Sequence, residues 1–431
     1  MRINTIRKVD IIRAMIVAAF FASKSGYAFH IISASWVLLM LLFYKYKRAE
    51  NSVDNYPALA IMLVVSIILL GSMSVWFGFS LGSDEVLTNE SFTGSIRLNI
   101  LALMTIISVF GSFFLINRSS FSEAEVSKIL RFILFCGGVS AFVTLMFWLA
   151  ETGGQWGRYN YVPPLSESQG AQFYYLAISF LAGVTLLANV NSYRSRQALY
   201  LYPICAMILL CMTTILVREG WVIFSLSLIL AFSQSGMKSS LKKYLSLTIF
   251  IVFLLLFGTT MNSVVDLTTD VSISDGIDNA ESVLIRFQMI TKAFAVFLDN
   301  PLLGIGYGNF PNVVSHEILL QSGGSIEVSS PHNGVVLMLA EIGILGFLAF
   351  NLMAILLFKR MRERTKSTRR NVRKSLYKVF GWFFVLLYLD QFVANSLFLP
   401  LPNEASNLQL SWLLWIIVAL TLSQPKVLKS N

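Results

Sequence analysis

Four side chains stand where a mostly apolar chain has least reason to keep them. Arg218 lies between two apolar runs, in Val217-Arg218-Glu219-Gly220-Trp221. Arg286 lies in a stretch that mixes Gln288, Thr291 and Lys292 with apolar residues. Arg158 sits in Trp156-Gly157-Arg158-Tyr159, and His332 with Asn333 opens an apolar run that reaches Phe358. A guanidinium is always charged, and its planar fork of donors meets two phosphate oxygens at once. A neutral imidazole near pH 7 can accept the proton of a hydroxyl. Together they form equipment for an anionic leaving group and a hydroxyl nucleophile. Each also has a plainer reading: an interface anchor for the arginines, a helix cap for His332. Glu219 is a poor partner for Arg218, because adjacent helical residues do not face each other. His30, inside an apolar run, reads as structural, and His316 has no distinctive context.

Between Arg286 and His332 the chain reads Asp299-Asn300-Pro301-Leu302-Leu303-Gly304-Ile305-Gly306-Tyr307-Gly308-Asn309-Phe310. Its glycine spacing is no dinucleotide fingerprint, since no strand precedes it and no βαβ unit surrounds it. It reads as a tight turn whose backbone amides could meet phosphate, so Gly304 and Gly306, with Asn333, count as substrate contacts. Asp266, Asp270, Asp275 and Asp278 lack the spacing of a calcium loop. Neither a metal site nor a cofactor is expected. Glu341 and Asp390 lie inside apolar runs and need partners there: they form either a proton path or pairs with the outer arginines. Glu341 follows His332 by nine residues, about 13 Å along a helix, which favours structural pairing.

Positioning these groups falls to a membrane bundle. Apolar residues make up 56% of the chain and charged residues 13%, with mean hydropathy +0.69. A span takes roughly 20 mostly apolar residues. The expected fold is all-α and polytopic, with about twelve spans at 9–25, 28–45, 57–79, 97–116, 129–150, 171–190, 198–217, 218–234, 243–259, 332–358, 376–399 and 409–424. The first is read as an uncleaved anchor. With the N-terminus inside, 27 of the 33 lysines and arginines fall on the cytoplasmic side, as the positive-inside rule requires. Both termini are then cytoplasmic. The chain divides into spans 1–259, a large outer loop 260–331, and spans 332–431. The basic run from Lys359 to Lys378 is a topology signal touching anionic lipid, so the net charge of +10 does not point to nucleic acid. In the loop, Asp278 and Glu281 match a reciprocal N-cap. A helix over about 280–298 should follow, stopped by Asn300-Pro301, lying in the interface plane or folded back into the bundle. Cys136, Cys205 and Cys211, all in apolar runs, read as small packing residues.

These pieces, with His332-Asn333 followed by Glu341-Ile342-Gly343-Ile344-Leu345-Gly346 and the layout of spans around one large outer loop, resemble the O-antigen ligase and O-antigen polymerase (Wzy) superfamily. The sequence departs from the common pattern in Val217, where a serine is usual, and in lacking a tryptophan soon after Arg286. The resemblance implies an inverting, metal-independent glycosyltransferase in the bacterial inner membrane, with its active site facing the periplasm. Its donor would be a glycan on undecaprenyl diphosphate, and its acceptor a glycan or lipid A-core hydroxyl. Other polysaccharide-assembly proteins are possible partners. Arg218 and Arg286 would hold the diphosphate, His332 would activate the acceptor, and Arg158 would add a further contact. Two rival readings use the same residues differently: a flippase or proton-coupled carrier working through Glu341 and Asp390, or a non-catalytic scaffold for polysaccharide assembly.

Overall fold

The computed structural model describes residues 8–21, 62–66, 68, 89–117, 119–153, 169–189, 196–215, 217–233, 273–311, 331, 333–367, 372–391 and 405–423. Among them every long element is an α-helix: α1 (Lys8–Phe21), α2 (Asn89–Asn117), α3 (Glu123–Thr152), α4 (Gln169–Leu187), α5 (Arg196–Thr214), α6 (Arg218–Ser233), α7 (Ile273–Asp299), α8 (Gly334–Ser367), α9 (Val372–Asp390) and α10 (Ala405–Leu422). Among the described residues three stretches are long and apolar enough to cross a membrane: Glu123–Thr152, Gln169–Leu187 and Gly334–Lys366. The expected spans at 28–45 and 243–259, and most of 57–79, lie outside the described residues.

Local chemistry accounts for several boundaries. The Ser122 hydroxyl accepts the Glu125 amide while the Glu125 carboxylate accepts the Ser122 amide, a reciprocal cap that starts α3. Gly153, at φ 61°, ends it in the left-handed conformation that glycine adopts without penalty. Between α5 and α6 the Val217 amide donates to the Ile215 carbonyl at 3.0 Å. Helix α7 ends at Asp299, before Asn300-Pro301, as expected. Its start differs: it begins at Ile273, so Asp278 and Glu281 lie inside the helix and form no N-cap.

Helix α4 is the hub, buried along nearly its whole length and packed against α3, α5, α6, α9 and α10. A helix wrapped by neighbours cannot show an amphipathic face, and its polar groups must be satisfied inside the bundle. Gln172 donates to the Ser140 and Thr144 hydroxyls of α3 at 2.9 and 3.1 Å. The Tyr175 hydroxyl donates to Gln409 at 3.3 Å.

Hydrogen bonds sort the helix ends into two groups. At one end the start of α4 meets the end of α9 through Tyr174 and Asp390, and the end of α9 meets the start of α8 through Gln391 and Val335. At the other end Arg373, 1% exposed, ties three elements together. Its guanidinium donates to the Phe121 and Ser423 carbonyls at 2.7 and 2.9 Å and lies 3.2 Å from the Glu123 carboxylate. Within the basic run from Lys359 to Lys378, Arg373 is therefore an interior clamp and not a lipid-facing charge.

Candidate active site

Helix α8 is two helices joined at Gly343, whose backbone (φ 63°, ψ −174°) leaves the helical region. Breaking a helix frees carbonyls on one side and amides on the other, and an apolar environment offers them no water. The turn after α7 supplies the missing partners. The Ile344 and Leu345 amides donate to the Pro301 and Leu302 carbonyls at 2.8 and 3.3 Å, and the Ala340 carbonyl accepts the Ile305 amide at 3.0 Å. The Glu341 carboxylate, at the end of the first segment, accepts the Phe310 amide at 3.2 Å and the Gly308 amide. Its partners among the described residues are thus backbone amides of the turn. Tyr307, buried beside it, has its phenol pushed well up by desolvation and then by the Glu341 charge.

Close approach explains the glycines of this turn. A Cβ on Gly304 would lie 2.4 Å from the Glu341 carbonyl carbon, and one on Gly343 would lie 2.3 Å from the Leu302 oxygen. Gly304 and Gly306 also have positive φ, at 69° and 90°. Both are buried, and the Gly304 amide already donates to the Asn300 carbonyl at 3.0 Å. Gly304 thereby seats the turn against α8. Phe310, with Met289 and Ala293 of α7 and Leu337 and Ala340 of α8, closes a small apolar core beneath it.

This latch fixes where the two flanking stretches go. The end of α7 is held at Ile344, and Met289 and Ala293 pack with Leu337 and Ala340. Helix α7 thus runs beside the first segment of α8 in the same direction. Arg286, solvent-exposed and one turn before Met289, is carried toward the start of α8. There Asn333 caps the helix, its Oδ1 accepting the Val335 and Val336 amides at 3.1 and 3.0 Å. Its side-chain oxygen is committed to the helix start beside His332.

The same end of α8 reaches Arg218 through packed contacts. The Val335 amide donates to the Gln391 carbonyl at 3.3 Å, and the neighbouring Asp390 accepts the Tyr174 hydroxyl at 3.3 Å. Phe173, next to Tyr174, packs edge-on against Trp221 with ring centroids 5.2 Å apart. Gly220 lets that ring approach, since a Cβ there would lie 2.6 Å from it. Arg218 is the first residue of α6, less than one turn before Trp221. Its backbone is placed; its side chain, together with His332 and Arg158, lies outside the described residues. Tyr174, Phe173 and Gln391 escaped the sequence reading. The only signal was the Gln172-Phe173-Tyr174-Tyr175 cluster opening an otherwise apolar span.

Residues 161–351 match a family described as O-antigen ligase. The chain carries an O-antigen ligase family domain. The ligase match runs from just before α4 into the second segment of α8, so it takes in Arg218, Arg286, the glycine turn, His332 and Asn333, and stops short of Arg158. The family match over residues 161–351 and the apolar helices together support a membrane-embedded protein with a glycosyl-transfer role. No curated protein matches the chain.

Proposed function

We propose that the chain transfers a glycan from undecaprenyl diphosphate to a sugar hydroxyl at the periplasmic face of the inner membrane, with inversion and without a metal. Arg218 and Arg286 match the charge of the diphosphate as it leaves, His332 accepts the proton of the attacking hydroxyl, and Arg158 adds a contact to the donor. A lipid diphosphate is a competent leaving group once its charge is matched, so preorganised guanidinium groups can take the part that a metal plays elsewhere. The acceptor needs only positioning and a base.

The observation that carries this reading is the latch between the glycine turn and the broken α8. It joins the helix bearing Arg286 to the helix that begins beside His332, while Phe173, Tyr174 and Gln391 connect that same end to the start of α6. The carrier reading loses support at Glu341, which is 2% exposed and engaged by backbone amides.

The test is reconstitution of the purified chain with a lipid-linked glycan donor and a glycan acceptor, without nucleotide or added metal. Product with a new glycosidic bond and released undecaprenyl diphosphate supports the proposal; vectorial movement of donor without bond formation contradicts it. In cells, collapse of a polysaccharide ladder to one repeat on deletion assigns polymerisation. Loss of attachment with intact lipid-linked chains assigns ligation.

A further inference from the structure

Helix α7 carries more apolar surface than its packing on α8 consumes. Met289, Ala293 and Val296 face α8. Phe287, Phe294 and Leu298, spaced i, i+7 and i+11, form a second stripe that points away from the protein. They are 68%, 48% and 61% exposed, and Leu302 just beyond the helix is 62% exposed. Thr291 falls on this stripe, and its hydroxyl is satisfied within the helix by the Phe287 carbonyl at 2.9 Å. Gln288, Lys292 and Asp299 gather on one flank between the two apolar faces. A helix standing in water has no use for large outward phenylalanines, whereas a polar flank between two apolar faces suits one lying at a membrane boundary.

What covers the stripe follows from continuity. The Leu345 amide donates to the Leu302 carbonyl, so the last residue of the stripe adjoins Leu345. From Leu345 an exposed apolar row continues through Leu348, Leu352 and Ile355, along the second segment of α8. That segment belongs to one of the stretches apolar enough to cross a membrane. The row along α8 and the stripe on α7 therefore meet where Leu302 adjoins Leu345.

We infer that the outward face of α7 is seated in the bilayer at the headgroup–acyl boundary, so that α7 is an interfacial membrane helix continuous with the lipid-facing side of α8. Its partner is lipid. The seat stands independently of the transfer reaction; for the proposed function, its consequence is that Arg286, next to Phe287, works at headgroup depth, where a membrane-anchored diphosphate is found.

The test uses the full chain in phosphatidylethanolamine/phosphatidylglycerol nanodiscs, with nitroxide labels on Phe294→Cys, Leu298→Cys and Gln288→Cys. Cys136, Cys205 and Cys211 are buried, and the unsubstituted protein supplies the background. Phe287→Cys is a second position on the stripe should a label at Phe294 disturb folding. The expected result is that labels on Phe294 and Leu298 collide several-fold more with oxygen than with a water-soluble nickel complex, and that Gln288 shows the reverse. Nickel-dominated collisions at both stripe positions overturn the inference. So do labels shielded from both reagents with spin–spin broadening between copies, which would mean that a second chain covers the face. Lipid-facing labels combined with full transfer activity in Arg286→Ala would leave the seat standing and remove Arg286 from the reaction.

Discussion

Gly304 and Gly343 interlock backbone to backbone: the position of a Cβ on the first is filled by the Glu341 main chain, and that of the second by the Leu302 main chain. Neither obstruction is the end of a flexible side chain, so neither can move aside cheaply. The two glycines let a turn from the loop enter a break in a membrane helix. The turn closes the hydrogen bonds that the break opens.

Gly343→Ala and Gly304→Ala should therefore each destabilise the protein. The positive φ alone costs about 1–2 kcal/mol for a residue with a Cβ, and displacement of the opposing backbone adds to it. Detergent-solubilised protein should melt well below wild type and lose transfer activity. Gly381→Ala, where a Cβ meets nothing within 4 Å, should leave both unchanged. Wild-type melting in Gly343→Ala would contradict the latch.

Glu341→Gln keeps an acceptor oxygen for the Phe310 amide, whereas Glu341→Ala leaves buried amides without one, at about 1–3 kcal/mol per orphaned group. Thermal stability and transfer rate should be largely retained in the glutamine variant and lost in the alanine variant. A proton carrier would make the two equally inactive, since neither side chain titrates.

At the end of α9, Asp390→Asn preserves an acceptor for the Tyr174 hydroxyl. Its effect on turnover should be modest, clearly smaller than that of His332→Ala. Transfer assays on both variants at matched membrane levels give the ranking. The opposite order would favour transport through Asp390.

Arg373→Met orphans the Phe121 and Ser423 carbonyls and leaves Glu123 without its cation. Each orphaned buried carbonyl costs about 1–3 kcal/mol, whereas Glu123, 40% exposed, is left to water. Because Arg373 lies at the opposite end of the bundle from α8's start, activity per folded molecule should be unchanged while melting drops sharply. A fall in specific activity in the folded fraction would refute that separation.

Much of this was legible in residue order. Nine of the expected spans coincide wholly or in part with described helices, and Asn300-Pro301 does stop α7. What stayed hidden has physical causes. The break at Gly343 lies in a run whose composition is that of an ordinary span; only a partner backbone arriving from residue 302 makes φ positive there. The same long-range contact supplies Glu341 with backbone partners that its place in an apolar run does not reveal. Arg373 was lost among like charges because burial, not sequence, distinguishes it. The start of α7 was misplaced because a plausible capping pair, Asp278 and Glu281, sits within a helix that had already begun.

The central claim is that Arg218, Arg286 and His332 act together on a lipid diphosphate donor. Its most direct test is single-turnover transfer from undecaprenyl-diphosphate-linked glycan in nanodiscs, comparing wild type with Arg218→Ala, Arg286→Ala and His332→Ala. Loss of one oxyanion-stabilising group typically costs about 10²–10³ in rate, and each variant should lose at least that much while melting like wild type. Near-wild-type transfer in any of the three would contradict the account.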